Sequence, residues 1–208
     1  MAKSDDRKAK AFVRDTLATT CRVTLREIEP EPDKKTADFE MIDGADRVLV
    51  AELKTIEHRP SPNDWWSYEA DPKWASRLLE KIDDAYKQVS AYPHPWAVIL
   101  HNADPRIDIS HFDEAFRGER VLGAIEGRRI VRTNPASYGR TIERRYEIDL
   151  YIWVDELDRP CRLGVYGSTP AGHEIAEKYF RAGVPEGNFP PRWPRRTGSA
   201  MPAEPEES

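Results

Sequence analysis

Residues 36–54 read TADFEMIDGADRVLVAELK and predict a β-hairpin. The second arm, residues 47–56, is short, apolar and rich in β-branched side chains, which is typical of a strand with at least one buried face. Asp43 and Gly44 mark the turn, because both residue types tolerate the positive φ angles of tight hairpins. We therefore predict two antiparallel strands joined near Gly44.

The register of this hairpin determines which polar side chains share a face of the sheet. Residues directly opposite each other in an antiparallel pair lie on the same face. Placing Asp38 opposite Glu52 pairs Ile42 with Val48 and leaves residues 43–47 as the loop. A loop of odd length, with a bulge at or beside its glycine, keeps the two acids on one face, whereas a loop of two or four residues would separate them.

Two acids and a lysine then share that face. Glu52 and Lys54 are two residues apart in an otherwise apolar strand, so they project on the same side as Asp38. Burying charges on a sheet face is costly unless they are paired or bind a metal ion. Two carboxylates can hold a hard cation such as Mg²⁺, and a neighbouring ammonium can position a water. These groups are the equipment for metal-assisted hydrolysis of a phosphodiester. Glu40 lies on the same face, where we expect a salt-bridge partner rather than a ligand.

At these residues the chain resembles the PD-(D/E)xK nuclease superfamily. Asp38 takes the place of the family's first Asp, and Glu52 and Lys54 form its E-x-K motif. Ala37 replaces the family's leading proline, and RecB-like members more often carry D-x-K. The RecB-like Q-x-x-x-Y motif is matched by QVSAY at residues 88–92, on a helix predicted after the hairpin.

The resemblance covers residues 8–102 and implies a fold, a cofactor and an activity. The implied fold is α/β, a restriction-endonuclease-like mixed central sheet flanked by helices. The implied cofactor is Mg²⁺ or Mn²⁺, bound by Asp38, Glu52 and the carbonyl of Leu53. Lys54 would position the attacking water, and Gln88 and Tyr92 would orient Lys54 or the scissile phosphate. The implied catalytic residues are therefore Asp38, Glu52, Lys54, Gln88 and Tyr92, and the implied activity is a Mg-dependent deoxyribonuclease.

The rest of the chain is predicted to extend one domain. Its 208 residues fit a single unit, with a core at 8–102 and an elaboration at 103–183. Further strands are predicted at 128–133, 146–154 and 162–166, and we interpret the last two as antiparallel additions to the core or a small satellite sheet. Helices are predicted at 4–20, 71–92 and 169–180. Residues 184–208 are rich in Pro and Arg and predict a flexible tail.

Two further segments are candidates for nucleic-acid contact. Residues 58–74 hold Trp65 and Trp66, which would stack on bases or else form a hydrophobic lid or a protein interface. Residues 117–145 are basic and would bind phosphates, although solvated arginine-rich loops are also common. The arginines favoured for this contact are Arg128, Arg129 and Arg132.

Composition limits the possible classes of protein. With 39% hydrophobic residues the chain can bury a core, and its formal net charge of −5 does not favour a globally basic nucleic-acid binder. It shows no apolar N-terminal run and no stretch of about 18 apolar residues, so we expect no membrane partner and a cytoplasmic location. Cys21 and Cys161 fit no metal-binding spacing and are expected to be reduced.

A second hypothesis comes from a different class. The same fold would serve as a non-catalytic binding or scaffold module in a phage, defence or repair assembly. Whether the substrate is DNA or RNA stays open, although DNA is favoured, and both a homodimer and a protein partner stay open.

Overall fold

The computed structural model of the chain describes residues 2–32, 35–57, 74–109, 111, 119–125, 128–133, 147–157 and 162–184. The helices are α1 (Ala2–Cys21), α2 (Trp74–Val89) and α3 (Pro170–Ile175), which continues as a π-helical segment, Ala176–Phe180. The strands are β1 (Thr24–Glu27), β2 (Phe39–Asp43), β3 (Asp46–Glu57), β4 (Trp96–Ala103), β5 (Glu119–Ile125), β6 (Arg128–Thr133), β7 (Leu150–Asp155) and β8 (Arg162–Gly167).

Six of these strands form one mixed sheet in the order β1-β2-β3-β4-β7-β8. The strands β3, β4 and β7 are parallel to one another, and the strands on either side of them are antiparallel. β5 and β6 pair with each other as a separate antiparallel ribbon. The predicted α/β class with a mixed central sheet is therefore confirmed.

Helices cover both faces of the sheet. On one face, α1 and the C-terminal helical segment pack on apolar residues of the strands, with Leu17 and Phe180 fully buried. On the other face, α2 contributes Leu78 and Ile82 to a second apolar cluster with Trp153. The result is three layers, helix, sheet and helix, which satisfies the requirement that both faces of a parallel sheet be covered.

The prediction for residues 146–154 was wrong in one respect. The strand observed there, β7, lies parallel to β4 inside the main sheet, and only its pairing with β8 is antiparallel. All six of its side chains are buried. Tyr151 and Trp153 pack under α2, so this strand is covered on that face as well.

The hairpin has the predicted register where it matters for the site. Met41 lies opposite Leu49, but Ile42 lies opposite Arg47 instead of Val48. The predicted loop of odd length was wrong, because the turn is only two residues long. An irregularity at Val48, instead of a bulge at or beside Gly44, restores the register that such a short turn would otherwise shift. Gly44 adopts a φ of 63°, as the turn requires.

Helix ends follow local rules where they are described. Thr169 caps α3, since its hydroxyl accepts a hydrogen bond from the amide of Gly172 at 3.1 Å. Pro170 occupies the first turn, as predicted. Cys21 is buried and free, whereas Cys161 lies outside the described residues. Among the described helices, none is long and apolar enough to cross a membrane.

Candidate functional site

The site lies beside β3, just before the first residue of β2. β2 begins at Phe39, opposite Ala51, so β3 runs on from Glu52 to Glu57 without a described strand on that side. The amide of Leu53 points toward this gap and donates a hydrogen bond to Oδ2 of Asp38 at 3.0 Å. The Asp38 carboxylate thus takes the place of a strand partner and is held at the sheet edge.

Asp38 and Glu52 hold each other through their backbones. Glu52 Oε2 accepts a hydrogen bond from the amide of Asp38 at 3.2 Å, while Asp38 accepts from the amide that follows Glu52. This reciprocal pair of bonds fixes both carboxylates over the same few residues. The sequence prediction that the two acids come together is therefore matched by the geometry.

The other oxygen of Glu52 accepts two hydrogen bonds. Lys54 Nζ donates to Oε1 at 2.7 Å, and Gln88 Nε2 donates to the same oxygen at 2.5 Å. Glu52 is buried, with 3% of its surface exposed. Burial, reinforced by the charge of Asp38, raises the pKa of Glu52 to about 7, and the ammonium of Lys54 opposes this shift.

A lysine that the sequence analysis did not select completes the site. Lys10, on α1, places Nζ 2.5 Å from Asp38 Oδ1 and 3.6 Å from Asp6 Oδ2. Burial acts to lower the pKa of Lys10, but the hydrogen bond and charge of Asp38 outweigh it, so that the pKa lies above its ordinary value. Nothing in the local sequence of α1 shows which of its lysines faces the sheet. Asp15, on the same helix, is exposed and pairs with Arg14.

One open cleft of about 710 Å³ is lined by Asp6, Asp38, Glu52, Leu53 and Lys54. Its wall includes side chains from α1, β3 and α2, among them Lys8, Lys54 and Lys81. His101 and Glu156 line the cleft as well, with Nε2 of the buried imidazole 2.9 Å from the carboxylate. Burial lowers the pKa of His101, although the charge of Glu156 works in the other direction.

The remaining predicted site residues have other positions. α2 ends at Val89, so Gln88 and Tyr92 are not on one helix face, and the prediction of a helix through residue 92 was wrong there. Tyr92 packs beside the apolar group of Ala37, Val50 and Val89. Within the described part of the chain, no hydrogen bond joins Tyr92 to either acid.

The other candidates are located to different extents. Glu40 forms an ion pair with Arg26, in agreement with its expected role. Trp65 and Trp66 lie outside the described residues, as does most of the predicted tail. The three arginines favoured for nucleic-acid contact lie on β6, in the ribbon that β6 forms with β5, and these are Arg128, Arg129 and Arg132.

The donor set fits a hard divalent cation that keeps part of its water shell. Among the described residues, no group of three or more His, Cys, Asp or Glu side chains is arranged to hold a metal ion. Asp38 and Glu52 nevertheless supply two carboxylates in contact with the same cleft, and Mg²⁺ is commonly bound by one or two carboxylates together with water and substrate phosphates. Burial and, after it, the charge of Asp38 raise the pKa of Glu52, and a bound cation would relieve the repulsion between the two carboxylates.

Comparison of the chain with protein-family models, with curated proteins and with solved structures found no match. We therefore infer its function from the chemistry of these side chains.

Proposed function

We propose that the chain is a metal-dependent nuclease that hydrolyses phosphodiester bonds of nucleic acid, with DNA as the favoured substrate. The observation that carries this proposal is the joint position of Asp38, Glu52 and Lys54, linked by hydrogen bonds of 2.7–3.2 Å at the wall of an open cleft. Buried acids beside a lysine are costly to maintain for stability alone, which favours a role in chemistry.

Asp38 and Glu52, with the carbonyl of Leu53, would hold Mg²⁺ or Mn²⁺. When bound, such an ion supplies a positive charge that stabilises the charge developing on a phosphate. Burial of the Glu52 carboxylate strengthens its attraction for a cation, because charge interactions are weakly screened away from water.

Lys54 and Gln88 have complementary roles in this proposal. Lys54 is 17% exposed in its side chain and lines the cleft, so its ammonium can hold and orient a water beside the phosphate. Gln88 donates to the oxygen of Glu52 that also accepts from Lys54, and therefore restricts rotation of that carboxylate. We thus assign Gln88 as a positioning residue for Glu52, whereas the resemblance implied that it would orient Lys54 or the scissile phosphate.

Binding of a polyanion is supported by local charge and not by the whole chain. The net charge is −5, yet Lys54 and Lys81 bring positive charge to the cleft. The phosphate backbone responds to such local positive charge. Trp65 and Trp66, with the arginines Arg128, Arg129 and Arg132, remain predicted contacts for the parts of the substrate beyond the scissile bond.

A cleavage assay tests the proposal. Supercoiled plasmid and 5′-labelled single and double strands would be incubated with Mg²⁺, Mn²⁺ or EDTA. We expect metal-dependent cutting by the wild type and a loss of about 100-fold or more in both Asp38→Asn and Lys54→Met. Asp15→Asn serves as the matched control, since it removes an exposed acid that makes no contact with Asp38 or Glu52, and it should cut like the wild type.

Circular dichroism would establish that each variant is folded. A folded wild type that binds nucleic acid but cuts no substrate with any metal would contradict the nuclease proposal and favour the non-catalytic binding module. Retention of full activity in Asp38→Asn would also contradict the proposal, because the proposal requires the Asp38 carboxylate as a metal ligand beside Glu52.

A further inference from the structure

Lys10 reaches the site from the layer opposite Gln88. α1 packs on one face of the sheet and α2 on the other, so the two acids are approached from both sides. Lys10 Nζ lies 2.5 Å from Oδ1 of Asp38, and the side chains of both residues are about four-fifths buried, with 21% and 16% exposed. An ion pair this sheltered is screened less than a surface pair.

Each carboxylate oxygen of the acid pair already has a partner. The amide of Leu53 binds Oδ2 of Asp38, the amide of Asp38 binds Oε2 of Glu52, and Lys54 and Gln88 share Oε1. A carboxylate oxygen that accepts a hydrogen bond from a backbone amide keeps one lone pair free for a cation. Lys10 differs from the amides, because its full positive charge at Oδ1 repels any cation that approaches the same oxygen.

Lys10 also has a second acceptor within reach. Asp6 lies one helical turn before it, and its Oδ2 is 3.6 Å from Nζ. The side chain of Asp6 is 63% exposed and lines the same cleft. A small rotation of the flexible lysine stem would therefore move the ammonium from Asp38 to Asp6 without moving α1.

We propose that Lys10 is a resident counter-ion that a divalent cation must displace from Asp38, with Asp6 as the acceptor of the displaced ammonium. This inference rests on the proposed metal-dependent function of the same site. In this arrangement Lys10 balances the charge of Asp38 and sets the cation affinity of the site. It acts through Asp38 and is a positioning residue.

The test measures cation binding and does not depend on cleavage. The full chain, treated with EDTA and dialysed, would be titrated with Mn²⁺ and with Ca²⁺ by isothermal calorimetry. We expect Lys10→Met to bind either cation about tenfold more tightly than the wild type, because a partly sheltered ion pair no longer competes. Lys8→Met is the matched control: it removes the same charge from the same helix at an exposed side chain, and its affinity should stay within about twofold of wild type.

A second readout is thermal unfolding in EDTA. Lys10→Met should unfold at a lower temperature than Lys8→Met, because Asp38 and Glu52 are then left with one fewer counter-charge, and added Ca²⁺ should reverse this difference. Lys10→Gln keeps a hydrogen-bond donor without the charge and should repeat the gain in cation affinity if Lys10→Met fails to fold.

The outcomes separate this inference from the proposed function. If the wild type binds cations and the Lys10 variants bind them no more tightly than Lys8→Met, the inference is overturned while the metal-dependent function stands. If neither the wild type nor the Lys10 variants bind, both are overturned. Binding by the Lys10 variants alone would support the inference in its strongest form.

Discussion

At the scale of single residues, Glu52 is an acid whose surroundings oppose its charge. Burial and the neighbouring Asp38 raise its pKa from the ordinary 4.5 to about 7, although Lys54 and Gln88 donate hydrogen bonds to it. The folded protein therefore binds this proton more tightly than the unfolded chain does. Glu52 favours folding below pH 4.5, and this contribution is lost as the pH rises through 7.

The same shift predicts how cation binding depends on pH. A cation needs the ionised carboxylate, so the affinity for Mn²⁺ should be about tenfold weaker at pH 6 than at pH 8 and should level off above pH 7. Calorimetric titration across this range measures it. Glu57→Gln, altered at an exposed acid of the same cleft, should keep the wild-type dependence. An affinity that is flat between pH 6 and 8 would rule out this role for Glu52.

Single residues also show where sequence reasoning stops. Asp38, Glu52 and Lys54 were found because the strand period places them on one face, and Gln88 was found because QVSAY matches the Q-x-x-x-Y motif. Lys10 was not found, because its contact depends on how α1 docks on the sheet, and docking is set by packing across the whole layer. The local sequence of a helix does not show whether a lysine side chain is solvated or pairs with a sheltered acid.

At the scale of elements, the β2–β3 hairpin combines a short turn with a bulge. In place of the odd loop expected from the sequence, the structure has a two-residue turn and the extra residue Val48 in β3. Both solutions keep Asp38 and Glu52 together, since each shifts the register by the same amount. That Asp38 and Glu52 share a face was thus predictable, because burial of their charges is costly unless they are paired. The turn itself was not predictable, because several loop types give the same register.

The turn predicts a specific cost for one substitution. Gly44 has a φ of 63°, and a Cβ added there would meet no atom within 4 Å, so the cost of a side chain is conformational and not steric. Gly44→Ala should lower the free energy of unfolding by about 1 kcal/mol, and Gly44→Asn by less, because Asn tolerates this region of φ. Urea unfolding compares the three proteins. Equal stability of the alanine variant and the wild type would show that the turn can adopt another conformation.

β7 illustrates what local patterns miss about elements. A strand was predicted at residues 146–154, but its parallel neighbour β4 lies about 50 residues earlier in the chain. Strand partners at such a separation leave no short-range signal, so the burial of Tyr151 and Trp153 inside the sheet could not be predicted locally. The side chains of β7 pack under helices on both faces of the sheet, so its central position depends on those helices and not on local sequence.

At the scale of the whole molecule, the sheet divides the core into two apolar clusters. Leu17 on α1 belongs to one cluster and Ile82 on α2 to the other, and both are almost fully buried. Leu17→Ala should cost about 2–5 kcal/mol and Ile82→Val about 0.5–1.5 kcal/mol. Because the sheet separates the two sites, the double variant should lose the sum of both to within about 0.5 kcal/mol.

Chemical denaturation of the wild type, both single variants and the double variant measures this additivity. A coupling energy well above 0.5 kcal/mol would mean that strain passes through the sheet from one cluster to the other. In that event, changes under α1 would also be expected to disturb Gln88 on the opposite side of the site.

The interleaved strand order limits how the site can be moved between proteins. The acids and the lysine lie within residues 38–54. However, β3 pairs with β4, β4 with β7 and β7 with β8. Phe180 packs in the apolar cluster under α1, the helix that carries Lys10. Lys178 and Tyr179 also bind Asp43 at the hairpin tip. A graft of the hairpin alone would omit the strands and helices that bury its charged side chains. To transfer the site to another protein, an engineer would have to move the chain as far as Phe180.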